Sequence, residues 1–475
     1  MPGRLLGQCG PLDQGVGLSG MSGRRAVVVG GDAAGMSAAS QMRRADPRLE
    51  VLVLEKGDYA SYGACGMPYY IAGEIASAQD LLALRPEEFA ARGIEVRCGH
   101  EVKEVRAGAR VIVGETAAGQ SFSERFDYLV LATGGKAVVP ALPGADLAGV
   151  YTLRNLSDGI ALREMLDRGQ VRRAVIVGAG FIGLELAEAL VKRGVQVQLL
   201  TRTERVLNGF EPPFAQPLFD ELSRHGAELI AGEQVEGIEG SNGQVAAVAT
   251  NKGRYAAELV LLATGLEPGV ELARSAGIAL GQSGAIAVND RMKTDVVGIW
   301  AAGDCIEVKH VVTGEPVYAP LALTANRTGR VAGDNVGVQS AGKTSSQRFR
   351  GTAGTLIAKV FDFTAAQTGL TLLEAERAGF SAAVFTRQSR TRASYYPGAE
   401  PLWSRIVVDR TTRRLLGAQI LSREGVAGRI DVFATALFNR MSIDEIYDLD
   451  LAYAPPYGPV YDPVIDICGH AMLKL

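Results

Sequence analysis

The sequence of 475 residues contains only five cysteines, so few thiols could bind metals or exchange disulfides. Its five cysteines form no Cys-x-x-Cys pair and show no spacing typical of zinc ligands; they are Cys9, Cys65, Cys98, Cys305 and Cys468. We therefore predict no metal site and no redox-active pair of neighbouring cysteines. Such sparse cysteine usage favours a reducing, cytoplasmic setting.

An excess of charge and long apolar runs are also missing. The 49 Lys and Arg nearly balance the 52 Asp and Glu, for a formal net charge of −3, which gives no electrostatic reason to expect nucleic acid as a partner. No apolar run approaches the roughly 20 residues of a membrane span. Residues 1–20 are glycine-rich and lack the apolar core of a secretory signal, so we expect a flexible N-terminal tail there.

Glycine is abundant, and the first glycine-rich turn, Gly30–Gly35, follows a short apolar strand. A helix then leads to a second strand that ends at Glu55. In such a βαβ unit the helix N-terminus binds a pyrophosphate and the acid binds ribose hydroxyls. Asp32 stands where the second glycine of the fingerprint usually lies, so taken alone an ordinary tight turn is equally consistent. The candidate cofactor-binding residues of this unit are Gly30, Gly31, Ala34, Gly35, Glu55 and Lys56.

A second turn, Gly178–Gly183, has the complete G-x-G-x-x-G pattern between a strand and a helix. No acid ends the next strand; Thr201 and Arg202 stand there instead. A carboxylate would repel the 2′-phosphate of NADPH, whereas this pair suits it. NADPH is therefore predicted and NADH remains possible, the alternative being that the arginines only solvate a surface turn. The candidates here are Gly178, Gly180, Gly183, Thr201 and Arg202.

Two dinucleotide units in one chain argue for an enzyme that passes hydride between two cofactors, one of them permanently bound. Two Ala-Thr-Gly turns and a Gly-Asp pair at a strand end complete the pattern, the Asp being able to accept a hydrogen bond from a ribityl hydroxyl of FAD. These turns contribute the candidates Thr133, Gly134, Gly265, Gly303 and Asp304. Cys65 is the candidate electron exit, and as a single thiol it must be oxidised by an external molecule.

In this order the motifs resemble the pyridine nucleotide–disulfide oxidoreductases over about residues 24–470, and most closely their single-cysteine branch, the coenzyme A-disulfide reductases. The closer match is carried by Ser61 to Tyr69 and by 395–398, 429–432 and 451–457. The resemblance implies an α/β fold with two Rossmann-like dinucleotide-binding domains, for FAD and NAD(P), plus an α+β C-terminal dimerisation domain. The expected limits are 1–20 for the tail, 21–145 and 276–340 for the FAD domain, 146–275 for the NAD(P) domain and 347–475 for the dimerisation domain.

The resemblance also implies a reaction. Electrons pass from NADPH through FAD to Cys65 and on to coenzyme A (CoA) disulfide, giving two CoA thiols through a mixed disulfide of Cys65 and CoA. It implies a homodimer in which Tyr395 and Tyr453 reach the cysteine of the partner subunit, and a carboxylate, Glu185, near the nicotinamide. The positions that match CoA-binding residues are Ser37, Gln41, Arg44 and Ser61.

Three alternatives remain open at this point. An NAD(P)H oxidase or peroxidase would cycle Cys65 through sulfenic acid, but those branches carry a histidine where this chain has Ala33. A CoA-persulfide or polysulfide reductase would use the same core. An electron-transfer reductase for a small redox protein would not need Cys65. Ala64 also replaces the asparagine that often precedes the cysteine, which bears on the identity of the substrate more than on the reaction class.

Overall fold

The computed structural model describes residues 23–207, 209–210, 212–345 and 347–475. The expected tail, 1–20, lies outside these residues. The described chain folds into two units built on parallel sheets and a third built on an antiparallel sheet, which confirms the predicted fold class. Within the described residues no helix is both long and apolar enough to cross a membrane.

The first unit begins with the glycine-rich βαβ segment and continues into a three-stranded antiparallel layer formed by β4 to β6. Its elements are β1 (Arg25–Val29), α1 (Ala33–Ala45), β2 (Glu50–Leu54), α2 (Met67–Ala72), α3 (Pro86–Ala90), β3 (Ile94–Arg97), β4 (His100–Arg106), β5 (Val111–Thr116), β6 (Ser121–Arg125), β7 (Tyr128–Leu131) and β8 (Gly135–Ala137). The inner parallel strands β1, β2 and β7 are mostly apolar and buried, as expected for a sheet that is covered on both faces.

The second unit repeats this plan around a five-stranded parallel sheet of order β12-β11-β10-β16-β9. Its elements are β9 (Val150–Tyr151), α4 (Leu156–Asp167), β10 (Arg173–Val177), α5 (Phe181–Lys192), β11 (Gln196–Thr201), α6 (Gln216–Arg224), β12 (Ala227–Ala231), β13 (Val235–Ser241), β14 (Gln244–Thr250), β15 (Arg254–Ala256), β16 (Leu259–Leu262) and β17 (Leu266–Pro268). Helix α7 (Glu271–Ser275) comes next and packs on β4 of the first unit.

The chain then returns to the first sheet, where β18 pairs with β7 and completes the order β18-β7-β1-β2-β3. The returning elements are β18 (Ile299–Ala301), β19 (Glu307–Lys309), β20 (Pro316–Tyr318) and α8 (Ala322–Ser340). Helix α8 lies directly on α1: a Cβ added at Gly333 would come within 2.2 Å of the carbonyl oxygen of Ala38. Only small residues allow two helices to approach this closely, so α8 fixes the position of α1 above the sheet.

The third unit is a five-stranded antiparallel sheet of order β21-β22-β25-β24-β23, with α10 and α12 packed on it. Its central strand β25 is buried along its whole length. The elements are β21 (Leu356–Val360), β22 (Phe363–Gly369), α9 (Leu372–Arg377), β23 (Ala382–Arg390), β24 (Pro401–Asp409), β25 (Leu415–Ser422), α10 (Val426–Asn439), α11 (Ile443–Tyr447) and α12 (Pro463–Met472). The domain limits 21–145 with 276–340, 146–275, and 347–475 stay a prediction from sequence.

Two buried carboxylates of the second unit join it to the third. Glu188 on α5 accepts a hydrogen bond of 2.7 Å from the backbone N–H of Phe361 and pairs with Lys359. Glu221 on α6, fully buried, pairs with Arg423 at 2.9 Å. Because a buried carboxylate needs a partner for each oxygen, these contacts fix the antiparallel unit against the helices of the second unit.

We predict that Glu221→Ala destabilises the protein by about 2–4 kcal/mol, since it opens a cavity and removes the buried partner of Arg423, whose contact with the exposed carboxylate of Asp362 remains. The measurement is the midpoint of thermal unfolding, followed by circular dichroism. The matched control is Glu104→Ala, which removes the same side chain from an exposed pair with Arg106 and should leave the midpoint unchanged. Equal midpoints for the two variants would contradict the role of Glu221.

Candidate active site

The first glycine-rich turn leaves the N-terminus of α1 open to a cleft between the two parallel units. Gly30 has φ +107°, and a Cβ there would lie 2.1 Å from the carbonyl oxygen of Ala132, so only glycine fits. The N–H of Gly31 donates to Glu55 Oε2 at 2.7 Å, and the N–H of Gly57 donates to Oε1 at 2.7 Å. The carboxylate predicted to bind ribose is therefore held at the mouth of the turn, at the end of β2.

Two buried polar atoms beside this turn have no hydrogen-bond partner among the described residues: Asp32 Oδ1 and the hydroxyl of Tyr318. Arg154 lies between the units, with Nη2 3.2 Å from Asp304 Oδ2 and Nε donating to the carbonyl oxygen of Gly135 at 2.8 Å. Unpaired buried groups of this kind are costly unless a ligand satisfies them. A long ligand with phosphates and hydroxyls, as FAD is, fits these residues, and FAD when bound would supply a two-electron carrier there.

The acids of this cleft are shielded from water. Burial raises the pKa of Asp32 to about 6, although the nearby Arg154 acts in the opposite direction; Glu55 and Asp304 raise it further. Burial also raises the pKa of Asp304, again against the effect of Arg154. A pyrophosphate at the N-terminus of α1 would add negative charge and raise the pKa of Asp32 still more. Asp32, the departure from the glycine fingerprint, is therefore expected to bind a proton more readily when a pyrophosphate is present.

The second turn has the same construction as the first. Gly178 has φ +112°, and a Cβ there would lie 2.3 Å from the carbonyl oxygen of Ala263. At Gly180 a Cβ would meet no atom within 4 Å, so the chain itself leaves this position open, and the space suits a close approach of a pyrophosphate. Thr201 ends β11, and Arg202 follows it as an exposed side chain. The arrangement can hold a dinucleotide with a charged group at its ribose.

The Ala-Thr-Gly turns join the two units as well as facing the cleft. The hydroxyl of Thr133 donates to the carbonyl oxygen of Gly269 at 2.5 Å, and that of Thr264 donates to the carbonyl oxygen of Val138 at 2.6 Å. Strand β8 pairs with β17 in the same place. These crossed contacts hold the two nucleotide turns at a fixed distance from each other.

Cys65 lies in a 3₁₀ turn, Ala64–Gly66, immediately before α2, and its side chain is exposed in the single chain. A helix N-terminus favours a thiolate, but the surroundings of Cys65 raise the pKa of its thiol. Desolvation by the nearby protein contributes most, followed by the negative charges of Glu185, Asp32 and Asp304. Helix α2, which begins two residues after Cys65, has only six residues, and the pKa of the thiol is raised in spite of it.

Glu185 is a residue of the second unit that lies near the thiol of Cys65. It lies in the first turns of α5, close enough to be the main charged group acting on both Cys65 and Tyr69. Burial, and then the neighbouring Glu188, raise the pKa of Glu185 to about 7. A carboxyl group of this kind can hold or release a proton beside the sulfur near neutral pH.

The four predicted CoA-binding residues occupy two places around the first turn. Ser37 and Gln41 follow one face of α1 and hydrogen-bond side chains of α8, Ser37 to Asn326 at 2.8 Å. Arg44 extends the same face and donates to Gln41 at 3.1 Å. Ser61 lies in the loop before Cys65, where its backbone N–H donates to the carbonyl oxygen of Gly31 at 2.8 Å.

Tyr395 and Tyr453 come together at the surface of the third unit. Their hydroxyl oxygens lie 3.3 Å apart, and their side chains are 74% and 46% exposed. The hydrogen bond to Tyr395 raises the pKa of Tyr453. Within the described part of the single chain neither hydroxyl bonds to Cys65, so the predicted contact would have to form between subunits.

Sequence reasoning missed Arg154 and Tyr318, which border the first cleft from segments distant in the chain. Neither stands in a glycine-rich turn or at the end of a predicted strand of the nucleotide units. For Arg154 the only sequence signal was a basic residue three positions after the end of the short strand β9. It also missed Asn326, whose α8 position beside Ser37 depends on the packing of α8 on α1.

A family model described as pyridine nucleotide-disulphide oxidoreductase matches residues 24–329, and one described as the dimerisation domain of that family matches residues 356–462. The CoA-dependent NAD(P)H sulfur oxidoreductase of Pyrococcus abyssi is 41% identical over 92% of this chain and 96% of its own. A coenzyme A disulfide reductase of Staphylococcus aureus is 31% identical over 94% of this chain and 98% of its own.

Solved structures agree. The structure of a NAD-dependent persulfide reductase from A. fulgidus superposes with a TM-score of 0.91 at 35% identity, covering 95% of this chain and 83% of that chain. The water-forming NADH oxidase from Lactobacillus brevis, bound to NADH, has a TM-score of 0.89 at 29% identity, covering 95% and 98%. Its engineered form bound to NADPH carries, among other changes, alanine, arginine and serine in place of consecutive aspartate, alanine and methionine.

These matches identify an enzyme: an FAD- and NAD(P)H-dependent oxidoreductase of the group that contains the coenzyme A-disulfide and persulfide reductases. The predicted resemblance is thereby confirmed. The family binds FAD and NAD(P)H, and its members use NADH or NADPH.

We predict that FAD binds less tightly as the pH is raised from 6 to 8. Above a pKa of about 6 the free protein has lost the Asp32 proton, which it must take up again to accept a pyrophosphate, so affinity falls by at most about tenfold per pH unit. Titration of flavin-free protein with FAD, followed by flavin fluorescence, measures this. Asp32→Asn should flatten the dependence, and Asp146→Asn, an exposed acid, should keep it. An unchanged slope in Asp32→Asn would assign the effect to another group.

Proposed function

The chain belongs to the pyridine nucleotide-disulphide oxidoreductase family, and within it we propose that this protein uses NADPH to reduce sulfur carried by coenzyme A, as a CoA persulfide or polysulfide. The observation that carries the proposal is the single exposed thiol of Cys65 beside the two nucleotide turns. Among the described residues no second cysteine lies next to it, so the disulfide partner has to be a molecule from outside. The relatives at about 40% identity are named for CoA-dependent sulfur or persulfide reduction, which favours this substrate class.

In the proposed reaction, Cys65 is the only protein group that forms a covalent bond with the substrate. The Cys65 thiolate attacks the CoA-bound sulfur atom of CoA–S–SH; the sulfur–sulfur bond breaks, hydrosulfide leaves and a Cys65–S–S–CoA disulfide forms. Two electrons from NADPH then cleave that disulfide, returning the Cys65 thiolate and releasing the CoA thiol with one proton. The sum is NADPH, a proton and CoA persulfide giving NADP⁺, CoA thiol and hydrogen sulfide.

Other residues would bind and protonate the substrate. Arg44, with Ser37 and Gln41 on the same face of α1, suits the phosphates of CoA, because guanidinium groups bind phosphate in a bidentate manner. Tyr395 and Tyr453 are proposed to supply the proton to the departing sulfur from the partner subunit. The proposed homodimer is supported by the match to a dimerisation domain and by the exposed aromatic side chains around these tyrosines.

CoA disulfide is the second candidate substrate. The same attack by Cys65 would then release a CoA thiolate instead of hydrosulfide, and the mixed disulfide would be identical. The coenzyme A disulfide reductases at about 31% identity support it. A cycle through sulfenic acid, as in an oxidase or peroxidase, receives less support, because this chain has Ala33 where those branches carry a histidine beside the cysteine.

The proposed preference for NADPH rests on the residues after β11. In the engineered oxidase that binds NADPH, a small residue, an arginine and a hydroxyl-bearing residue replace a sequence that began with aspartate. This chain has Thr201, Arg202 and Thr203 in that order. A guanidinium that follows a strand with no carboxylate at its end suits a 2′-phosphate.

We predict that Cys65→Ser abolishes reduction of CoA persulfide while FAD remains bound and is still bleached by NADPH in a single turnover. Serine cannot form the mixed disulfide, whereas the cofactor sites do not involve the sulfur. Stopped-flow absorbance and sulfide release are the measurements. Cys468→Ala, which removes a buried thiol from the third unit, is the control and should retain turnover. Steady turnover in Cys65→Ser would rule out Cys65 as the electron exit.

The natural substrate class is tested by product analysis with wild-type protein. CoA persulfide should yield one sulfide and one CoA thiol per NADPH and should be consumed faster than CoA disulfide, hydrogen peroxide or oxygen. Faster consumption of CoA disulfide would favour the second candidate. With either CoA substrate, mass spectrometry of the Cys65 peptide should show a CoA adduct. A sulfenic acid at Cys65 would favour an oxidase.

We predict that Arg202→Ala raises the KM for NADPH about tenfold and leaves that for NADH nearly unchanged, because one charged hydrogen bond to phosphate contributes about 1.4 kcal/mol. Initial rates with each nicotinamide measure this. Arg172→Ala removes an exposed arginine at the opposite end of the same sheet and should alter neither value. Equal changes for both nicotinamides would show that Arg202 does not recognise the 2′-phosphate.

A further inference from the structure

Arg429 on α10 is an arginine buried to 8% exposure that none of the proposed reaction steps uses. Its Nε donates to Asp462 Oδ2 at 2.9 Å, and its Nη2 lies 2.8 Å from the same oxygen. Nη1 donates to the carbonyl oxygen of Gly425 at 2.8 Å, one turn earlier on the chain. Nη2 also donates to the carbonyl oxygens of Thr391 at 3.2 Å and Tyr457 at 3.4 Å.

The last two contacts reach the two loops that carry the exposed tyrosines. Thr391 begins the segment between β23 and β24, four residues before Tyr395. Tyr457 lies between α11 and α12, four residues after Tyr453. A backbone hydrogen bond of 3.3 Å, from the N–H of Ala393 to the carbonyl oxygen of Pro455, joins the loops directly.

The two loops are thus held together at their base by a buried charge and meet at their tips through two phenols. Among the basic side chains, only arginine can make all the contacts found at the base of the two loops. Its planar fork carries five donors that point in different directions, whereas a lysine ammonium offers three donors from one point and cannot reach both carbonyls and the carboxylate. Asp462 is itself fixed, because its other oxygen accepts from the N–H of Val464 at the start of α12 at 3.0 Å.

We propose that Arg429 is the positioning residue for Tyr395 and Tyr453: by fixing the bases of both loops, it sets the separation of the two hydroxyls that are to protonate sulfur in the partner's site. The inference rests on the proposed function, since it concerns the tyrosines of that reaction. Arg429 touches neither the thiol nor the proposed substrate, so it acts only through the tyrosines. A change there alters proton delivery to the leaving sulfur and leaves the nucleotide turns in place.

The test compares Arg429→Lys with Arg413→Lys in full-length, FAD-loaded protein. Arg413 makes a two-point ion pair with Asp444 in the same unit, at 2.7 and 2.9 Å, away from the tyrosine loops, so it controls for the loss of an arginine fork. Both variants are checked for FAD content, dimer mass and thermal midpoint. We expect Arg429→Lys to lower kcat for CoA persulfide at least tenfold with KM for NADPH unchanged, and Arg413→Lys to lower neither.

A double-mutant cycle separates positioning from general stability. In a protein that already carries Tyr395→Phe and Tyr453→Phe, Arg429→Lys should cost no further activity, because the groups that it positions are gone. The same fractional loss with and without the tyrosines would overturn the inference, as would full activity of Arg429→Lys in the otherwise native protein.

A readout without substrate keeps this inference distinct from the proposed function. Protein labelled with 3-fluorotyrosine gives a fluorine resonance for Tyr453, identified by its loss in Tyr453→Phe, whose pH titration reports the hydrogen bond to Tyr395. Arg429→Lys should shift that titration towards lower pH, since the bond raises the pKa; Arg413→Lys should not. If the titration shifts but the tyrosine variants keep full turnover, Arg429 positions the loops and the tyrosines are not the proton source.

Discussion

The close contact between a turn glycine and a neighbouring carbonyl is the constraint on which the arrangement depends, and it occurs twice. At Gly30 the chain lies directly against Ala132, and at Gly178 it lies against Ala263, with no room for a side chain in either place. Each contact brings the turn after the first strand against the Ala-Thr-Gly turn at the end of a neighbouring strand. The helix N-termini therefore open towards the cleft, and the threonines next to the contacts cross over to join the units. The positions of Glu55, Arg154, Asp304 and Glu185 all follow from that join.

Much of the fold and of the candidate site could be predicted from the sequence, because the motifs that indicate them are local. The glycine turns, the apolar parallel strands and the lone cysteine each depend on a few adjacent residues, and those residues lie where they were expected. Arg154 and Tyr318 were not accessible, because they enter the first cleft from distant segments and belong to no recognisable motif. The packing of Asn326 beside Ser37 depends in the same way on how α8 lies over α1.

The charge state of Cys65 was the least predictable property. A short helix next to a cysteine suggests a stabilised thiolate, but three carboxylates from three segments lie near enough to act on the sulfur. Glu185 is contributed by the second unit, Asp32 by the first turn and Asp304 by the returning strand. The combined effect of these three charges on the pKa of Cys65 can be seen only in the folded chain, because it depends on distances between segments that are far apart in sequence.

The isolation of Cys65 also determines what the enzyme can be between reactions. A protein with two adjacent cysteines can store a pair of oxidising equivalents as an internal disulfide with its binding site vacant. With one thiol, the oxidised protein and the substrate-bound protein are, on the proposed reaction, the same covalent species. Its population then reports the ratio of reductant to oxidised CoA in the cell, and whenever NADPH is scarce each active site withdraws one CoA molecule from circulation. Oxidation of Cys65 and covalent binding of CoA are then the same event, and an abundant enzyme of this kind stores part of the CoA on which it acts.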